Sequence, residues 1–296
     1  MGELRDNPYT QGGWGRIFFG SLNSTQGLNV SSDYLTLQTG YDYSFAYKNA
    51  KSYLGLALAY SHSSGKSLTG FRGENIIGGT DRISIDSIQS HAIELGVYHS
   101  FFSDLGWYND TVFKLNHISS NFKFETKRNS LGNFGFILSD EVGYRYLFGE
   151  KKDFYLDPQL ELGLGYLSAT SFKAQLLARQ GINTLEVSQE ASLTLRTRLG
   201  ASVGKKFGMK TQQAFLYLGL FYEYDAVFTQ EGRIYSFRTN HSSILESLSS
   251  SGRGLLNLGA NLELTEKVRV YVDVEKSFAD KSRSHIQFNF GGRYSF

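Results

Sequence analysis

The sequence predicts an all-β protein, a transmembrane antiparallel β-barrel of about 12 strands around a polar lumen. Three observations lead to this fold class. Apolar and polar side chains alternate in segments of about ten residues along most of the chain, as barrel strands require. The chain has no run of about 18 apolar residues, which excludes spanning helices. It ends on an alternating segment whose last residue, Phe296, is aromatic.

The composition agrees with a barrel and excludes other classes. The 296 residues include 32 Gly, 19 Tyr and 23 Phe, and 41% of them are hydrophobic, with a mean hydropathy of −0.29. A membrane barrel has such ordinary averages because only alternate residues face lipid. The absence of cysteine is compatible with an oxidising compartment. A net charge of +2 without a basic block predicts that no nucleic acid is bound.

The C-terminal segment divides its side chains between two faces. Phe288, Phe290, Tyr294 and Phe296 project to one face, and the polar residues between them project to the other. The first face suits lipid and the second suits water. This ending resembles the assembly signal of outer-membrane barrels, which implies that the outer-membrane barrel assembly machinery recognises these four residues.

Earlier segments follow the same alternation and predict further strands. The clearest of these alternating runs are residues 35–41, 54–60, 156–164, 193–203, 216–223, 256–264 and 268–275. Short turns are predicted near residues 47–51, 103–105, 149–153, 207–211 and 265–267, and longer polar loops near 22–33, 65–84, 170–191 and 229–252. Short turns on one side and long loops on the other are typical of periplasmic and extracellular ends. An even number of strands then places both barrel termini in the periplasm.

Two positions leave the strand register open. Asp140 is in phase with apolar neighbours such as Leu138, so either it faces lipid or a bulge shifts the register there. Near the start of the chain, Trp14 and Phe18 share a face with Arg16.

The polar face of the strands carries charges of both signs, which we predict to line the lumen. Such a wall can solvate a polypeptide in the lumen without binding it tightly. The alternative interpretation is that these charges only pair with one another across the lumen. The lumen-lining candidates are Arg16, Asp42, Glu94, Lys114, Glu141, Arg145, Glu161, Arg196, Arg198, Glu223, Glu263, Arg269, Asp273 and Arg293.

Six short motifs, spread over nearly the whole chain, carry a family resemblance. They are Gly13–Arg16, Gly40–Tyr43, Tyr53–Ala57, Glu141–Tyr146, Leu156–Leu160 and Phe290–Phe296. In this order they resemble the C-terminal translocator barrel of the classical autotransporters, which belong to type V secretion. One departure is Gly292, where the family usually has an apolar residue.

The resemblance implies an outer-membrane barrel of 12 strands that secretes its own N-terminal passenger and anchors it at the bacterial cell surface. A helix in the lumen would join the barrel to the passenger. We therefore expect residues 1–11 to be the remnant of this linker and residues 12–296 to be the barrel. Residues 1–5 are polar and provide no signal peptide, so we expect a longer precursor. The expected partners are lipid, the passenger, the linker helix and the assembly machinery, with the barrel itself monomeric.

Two other function classes remain open from the residues alone. A diffusion porin for small solutes has the same strand pattern, although its gene would encode a signal peptide directly before the first strand. A lipolytic or proteolytic barrel enzyme needs a nucleophile with a nearby base, and His117 with Ser119 provides a loose pair without a third group. His241 with Glu246 and Asp81 with Asp86 are weaker candidates, for proteolysis and calcium binding. We predict no catalytic site, cofactor or metal.

Overall fold

A computed structural model describes residues 10–24, 30–67, 71–72, 82–83, 85–124, 127–178, 181–209, 212–228, 231–245, 250–280 and 283–296. Nearly all of these residues are in strands, and no helix among them is long and apolar enough to cross a membrane. The strands are β1 (Gln11–Ser24), β2 (Val30–Tyr47), β3 (Ala50–Ser67), β4 (Phe71–Arg72), β5 (Arg82–Ile83), β6 (Ile85–Ser103), β7 (Trp107–Phe124), β8 (Lys127–Tyr144), β9 (Tyr146–Phe148), β10 (Phe154–Leu167), β11 (Thr170–Ala178), β12 (Gly181–Gln189), β13 (Ser192–Met209), β14 (Gln212–Phe228), β15 (Gly232–Ser236), β16 (His241–Leu245), β17 (Ser251–Glu263), β18 (Val268–Phe278) and β19 (Arg283–Ser295).

One 13-stranded antiparallel sheet closes on itself to form the barrel. Its order is β13-β14-β17-β18-β19-β1-β2-β3-β6-β7-β8-β10-β9, and β10 pairs with β13 to complete the circle. The three-residue β9 continues β8 after Arg145, and both pair with β10. The circumference therefore contains the 12 strands that the sequence predicts. First and last strands meet along 13 residue pairs, from Gly12 with Ser295 to Ser24 with Arg283.

The two ends of the barrel differ in how the strands are connected. Short turns at residues 48–49, 104–106, 149–153 and 264–267 join strands at one end, which we call the turn end. The opposite end, called the loop end, carries the long connections. The turn predicted near 207–211 begins too early, because residues 207–209 belong to β13 and pair with β14, and residues 210–211 lie outside the described residues. β1 begins and β19 ends at the turn end.

The outer wall is a continuous apolar surface. Leu58 on β3, Leu199 on β13 and Phe290 on β19 have 53%, 60% and 56% of their surface exposed, respectively. These residues alternate with half-buried or buried side chains that point into the barrel. In water such a surface would be a severe liability, whereas in lipid it is the favourable arrangement.

Tyrosine rings pack over glycines on the inner wall. In five places a glycine is directly opposite a tyrosine on the neighbouring strand, and the ring occupies the space where a Cβ would be. The close approach requires a residue without a side chain at these positions. The pairs are Gly55 with Tyr98, Gly143 with Tyr108, Gly204 with Tyr155, Gly259 with Tyr217, and Gly291 with Tyr271.

Two segments predicted as polar loops form a second sheet instead. The hairpins β11–β12 and β15–β16 combine into a 4-stranded sheet at the loop end. Leu185 is fully buried, and Phe172 packs edge-on against Phe122 of the barrel strand β7. The loop prediction was wrong for residues 170–178, 181–189, 232–236 and 241–245, which form strands. The two hairpins join through β12 and β15, whose paired residues are 43 or more positions apart in the chain.

The structure settles both open questions of register. Pairing of β8 with β7 and β10 continues through Asp140 without a bulge, so this carboxylate faces outward. Its Oδ1 accepts hydrogen bonds from Asn109 Nδ2 at 2.9 Å and Thr111 Oγ1 at 2.6 Å. In β1, Arg16 points inward, with its guanidinium 5.5 Å and 5.2 Å from the ring centres of Trp14 and Phe18.

Candidate functional site

The inner wall brings the predicted charges together as ion pairs between neighbouring strands. The largest group lies on β8, β10, β13 and β14, and we call it the ladder: Glu141, Glu161, Arg196, Arg198 and Glu223. Because these strands run antiparallel in fixed register, inward residues of adjacent strands meet side by side.

Arg198 holds the centre of the ladder. Glu141 and Glu161 are directly opposite each other on β8 and β10, an arrangement in which two carboxylates repel. Arg198 Nη2 lies 2.9 Å from one carboxylate and 2.7 Å from the other, so one guanidinium compensates both. These three side chains retain 21 to 24% of their exposure, which means that water in the lumen reaches them.

Arg196 continues the ladder toward the loop end. Its Nε lies 2.8 Å from Asp225 and 3.5 Å from Glu223, and 44% of its side chain is exposed to the lumen. Arg253 on β17 contacts the same two carboxylates from the other side. Two arginines and two carboxylates therefore form one network of balanced charge.

A second group of predicted charges is sealed from solvent at the turn end. Arg293 donates to both carboxylate oxygens of Asp42, at 2.5 Å and 2.7 Å, and neither side chain is exposed. Tyr98 donates its hydroxyl to Asp42 at 2.6 Å and accepts a hydrogen bond from Trp14 Nε1 at 2.6 Å. Tyr53, which is fully buried, lies beneath the guanidinium. We call Trp14, Asp42, Tyr53, Tyr98 and Arg293 the turn-end cluster.

The turn-end cluster spans the seam where the first strand meets the last one. Arg293 belongs to the last strand and Asp42 to the second, and the ion pair reaches across β1. At Gly12 in β1 a Cβ would overlap the Arg293 guanidinium, so this glycine leaves the passage open. The cluster thus joins β19, β1 and β2 through side chains as well as through the backbone ladder.

The remaining lumen candidates occupy the wall between these two groups. Lys114 pairs with Glu94 at 2.8 Å, and Arg269 pairs with Glu263 at 2.5 Å. Asp273 accepts a hydrogen bond from Asn289, and Arg16 donates to Gln38. Arg16 has no carboxylate within ion-pair distance in the part of the chain that the structure describes.

Three partners of these charges were missing from the sequence-based set. The three are Asp157, Asp225 and Arg253. Asp157 pairs with the predicted Arg145 at 2.5 Å, and Asp225 and Arg253 complete the network around Arg196. The same alternation that selected their neighbours also places these three residues on the inner face. A count of every charge in phase with the polar face would have found them.

The four aromatic residues of the last strand line its outer face near the barrel seam. Phe288 stacks on Phe19 of β1 with ring centres 5.3 Å apart, and Phe296 lies 6.2 Å from Tyr41 of β2. Phe290 and Tyr294 are more than half exposed. All four therefore face the lipid side of the strand that closes the barrel.

The weaker catalytic candidates lie apart from the lumen. His117 is on the outer wall against Phe134, with ring centres 4.5 Å apart, and Ser119 follows two residues later on the same face. His241 begins β16 at the loop end. Its proposed partner Glu246 and the residue Asp81 lie outside the described residues, as does the side chain of Asp86.

Comparisons with known proteins identify the family. The sequence model named "Autotransporter beta-domain" matches residues 12–275. The chain belongs to the autotransporter beta-domain family. Its resemblance to autotransporter barrels, its fold as an outer-membrane barrel and its location in the outer membrane are thereby confirmed. The porin alternative is not favoured, because the matching family is a transport barrel of a different kind.

Curated relatives match along the whole chain, and solved structures share its fold. The serine protease EatA of Escherichia coli is 26% identical over 308 residues, which cover 100% of this chain and 20% of EatA. The beta domain of the Bordetella autotransporter BrkA superposes with a TM-score of 0.72 at 20% identity, covering 97% of this chain and 100% of BrkA. The transport unit of AIDA-I from Escherichia coli gives 0.74 at 17% identity, with coverage of 98% and 92%.

The beta-domain spans about a fifth of the length of the first curated relatives that it matches. The other four-fifths of those proteins lie outside the matched segment. The word protease in the name of EatA describes that whole protein.

Proposed function

We propose that this beta-domain translocates an N-terminal passenger across the outer membrane through its lumen and then anchors it at the cell surface. The family match is the observation that carries this function. The relatives support it because four-fifths of their length lies beyond the beta-domain. The turn end would face the periplasm and the loop end the cell exterior.

The charged inner wall suits such transport. A passing polypeptide exposes backbone amides and mixed side chains, which need water or polar partners inside the barrel. The ladder offers both signs of charge side by side, and Glu141, Glu161, Arg196 and Arg198 remain accessible to water. A wall whose opposite charges already pair with one another attracts neither acidic nor basic segments strongly, so passengers of different composition can pass. On this proposal the chain is a monomer and not an enzyme, and residues 1–11 are the end of the linker that leads into the barrel of residues 12–296.

The translocation proposal is tested by surface exposure of a reporter domain fused before residue 1. On intact cells we expect externally added protease to cut the reporter. As control, the same fusion without residues 283–296 cannot close the barrel and should leave the reporter protected. A reporter that stays inside cells whose barrel is folded in the outer membrane would contradict the proposal.

We further propose that Phe288, Phe290, Tyr294 and Phe296 are the signal that the barrel assembly machinery reads. Their exposure on the closing strand supports this role, because the machinery must reach them before the barrel closes. Phe296→Ala should slow insertion into the outer membrane. Phe278→Ala is the matched control, because Phe278 is equally exposed, at 46% against 44%, but lies at the loop end. Equal insertion rates for both variants would refute the signal.

A further inference from the structure

Two histidines lie side by side on the outer wall near the loop end. His62 on β3 is directly paired with His91 on β6, and each follows the phase of the lipid-facing residues in its strand. Tyr60 and Ile93, one step nearer the membrane, are 45% and 59% exposed. Beyond the histidine pair the outward positions of both strands become polar, beginning with Ser64 and Gln89. The pair therefore lies at the edge of the apolar band that faces the loop end. Water and ions have access to this edge.

The two imidazole rings are close enough to share one ion. Their centres are 4.8 Å apart and their planes are inclined by 40°. Imidazole nitrogens bind zinc at about 2.0–2.1 Å, so two of them on one tetrahedral ion lie about 3.3 Å apart. The ring centres of two such ligands lie about 5 Å apart, because each centre is about 1 Å behind its nitrogen, so the observed spacing suits one shared ion. Strand pairing holds the two backbones in place, and side-chain rotation directs the nitrogens to the ion.

The ring nitrogens also have the surroundings that a metal site needs. His62 Nδ1 is buried, and it has no hydrogen-bond partner among the described residues. A buried polar atom without a partner is destabilising, and binding an ion would compensate it. His91 Nδ1 lies 2.8 Å from the Tyr60 hydroxyl. When Nδ1 donates its hydrogen to Tyr60, the lone pair is on Nε2 and the ring is held in one orientation, as outer contacts do for metal-binding histidines.

We propose that His62 and His91 form a two-histidine binding site for a divalent transition-metal ion on the outer face of the barrel. Cu²⁺, Ni²⁺ and Zn²⁺ fit the imidazole donors, whereas Mg²⁺ and Ca²⁺ prefer oxygen. Within the described residues no group of three or more His, Cys, Asp or Glu could hold a metal. The ion is therefore held by two protein ligands, with water completing its coordination.

The other histidines of the outer wall provide controls. His117 is packed against Phe134, and His99 is paired with Leu54 and Thr111, so neither stands beside a second histidine. All four histidines face outward on neighbouring strands, and His99 and His117 are the more exposed ones, so binding to single surface imidazoles would be lost in these two variants first. Only the pair can chelate.

Calorimetric titration of the folded, untagged chain in detergent with NiCl₂ alone tests the site. We expect one Ni²⁺ per chain, at least tenfold weaker binding in His62→Ala and in His91→Ala, and unchanged binding in His99→Ala and His117→Ala. Binding should also weaken in acid, because only neutral imidazole coordinates metal. Heat-dependent gel mobility confirms that each variant is folded. Absence of binding, or equal binding by all four variants, overturns the proposal.

Discussion

The ladder and the turn-end cluster use the same chemistry in two environments. In each, an arginine bridges to one or two carboxylates on nearby strands at 2.5 to 2.9 Å, and in each it reaches across an intervening strand. Arg198 and its partners remain about one-fifth exposed, whereas Arg293 and Asp42 are fully enclosed by aromatic rings. Burial decides what such a pair contributes, since water screens the first and cannot reach the second. The ladder is a hydrated wall, and the cluster is a joint of the barrel seam.

The largest effect is expected from breaking the buried pair. Arg293→Ala leaves the Asp42 carboxylate enclosed without its cation, which should cost about 3–5 kcal/mol of stability. Urea unfolding of the detergent-folded protein, followed by tryptophan fluorescence, to which Trp14 of the cluster contributes, measures this loss. The double variant Asp42→Leu with Arg293→Met should lose much less, because it removes both charges. Equal losses for the two proteins would show that charge burial is not the cause.

The next effect concerns the glycine that supports the cluster. In Gly55→Ala the new methyl group displaces the Tyr98 ring, which carries the hydrogen bond to Asp42, at a cost of about 1–3 kcal/mol. Gly163→Ala in the ladder is the matched control, because its nearest neighbour would be Arg196 Cβ at 3.5 Å. Unfolding midpoints of both variants should differ clearly. If Gly163→Ala is equally destabilising, loss of glycine rather than the ring contact is responsible.

A smaller effect is expected in the ladder itself. Arg198→Ala leaves Glu141 and Glu161 opposed, but in contact with water, so the loss should be about 1 kcal/mol. Added salt should recover part of this loss by screening the two carboxylates, and it should not recover Arg293→Ala. The free energies of unfolding of Arg198→Ala and Arg293→Ala, measured at low and high NaCl concentration, compare the two environments directly. If salt instead recovered the stability of Arg293→Ala and not that of Arg198→Ala, the ladder would be the sealed environment and the turn-end cluster the hydrated one, contrary to this account.

The smallest effect is expected on the outer wall, where the side chain of Asp140 faces lipid rather than the lumen or other protein groups. Asp140→Asn keeps an acceptor for Asn109 and Thr111 but removes the charge, so stability should rise by about 1 kcal/mol or less. Unfolding in lipid bilayers is the suitable measurement. A loss of stability would indicate that the charge itself is needed at this position.

The sequence predicts which side of the wall each residue faces, and it does so well. Alternation alone places Arg198 and Arg293 inward and Leu199 and Tyr294 outward, because barrel strands have no other periodicity. It does not predict partners. Asp42 and Arg293 are 251 positions apart, and their contact depends on where the last strand meets the first.

The same limit explains the second sheet. Residues 170–189 and 232–245 are predicted to be loops because long polar connections are expected at one end of such a barrel. Phe172, Ala174 and Leu176 nevertheless alternate with polar residues as in a strand, and the structure shows that the two hairpins pair. Leu185 and Val187 alternate with polar residues in β12, but the strand that covers Leu185 from the other side is β15, which belongs to the distant hairpin. The features that the sequence patterns did not predict, the partners of the inward charges and the second sheet, therefore depend mostly on contacts between distant segments.

Site-specific photocrosslinking during secretion tests the central claim, that a passenger crosses through the lumen. A crosslinking amino acid at Arg198 faces the lumen, and one at the adjacent Leu199, which is 60% exposed, faces lipid. We predict crosslinks to the passenger from position 198 and none from position 199. A passenger that reaches the surface while crosslinking only from position 199, or from neither position, would contradict the account.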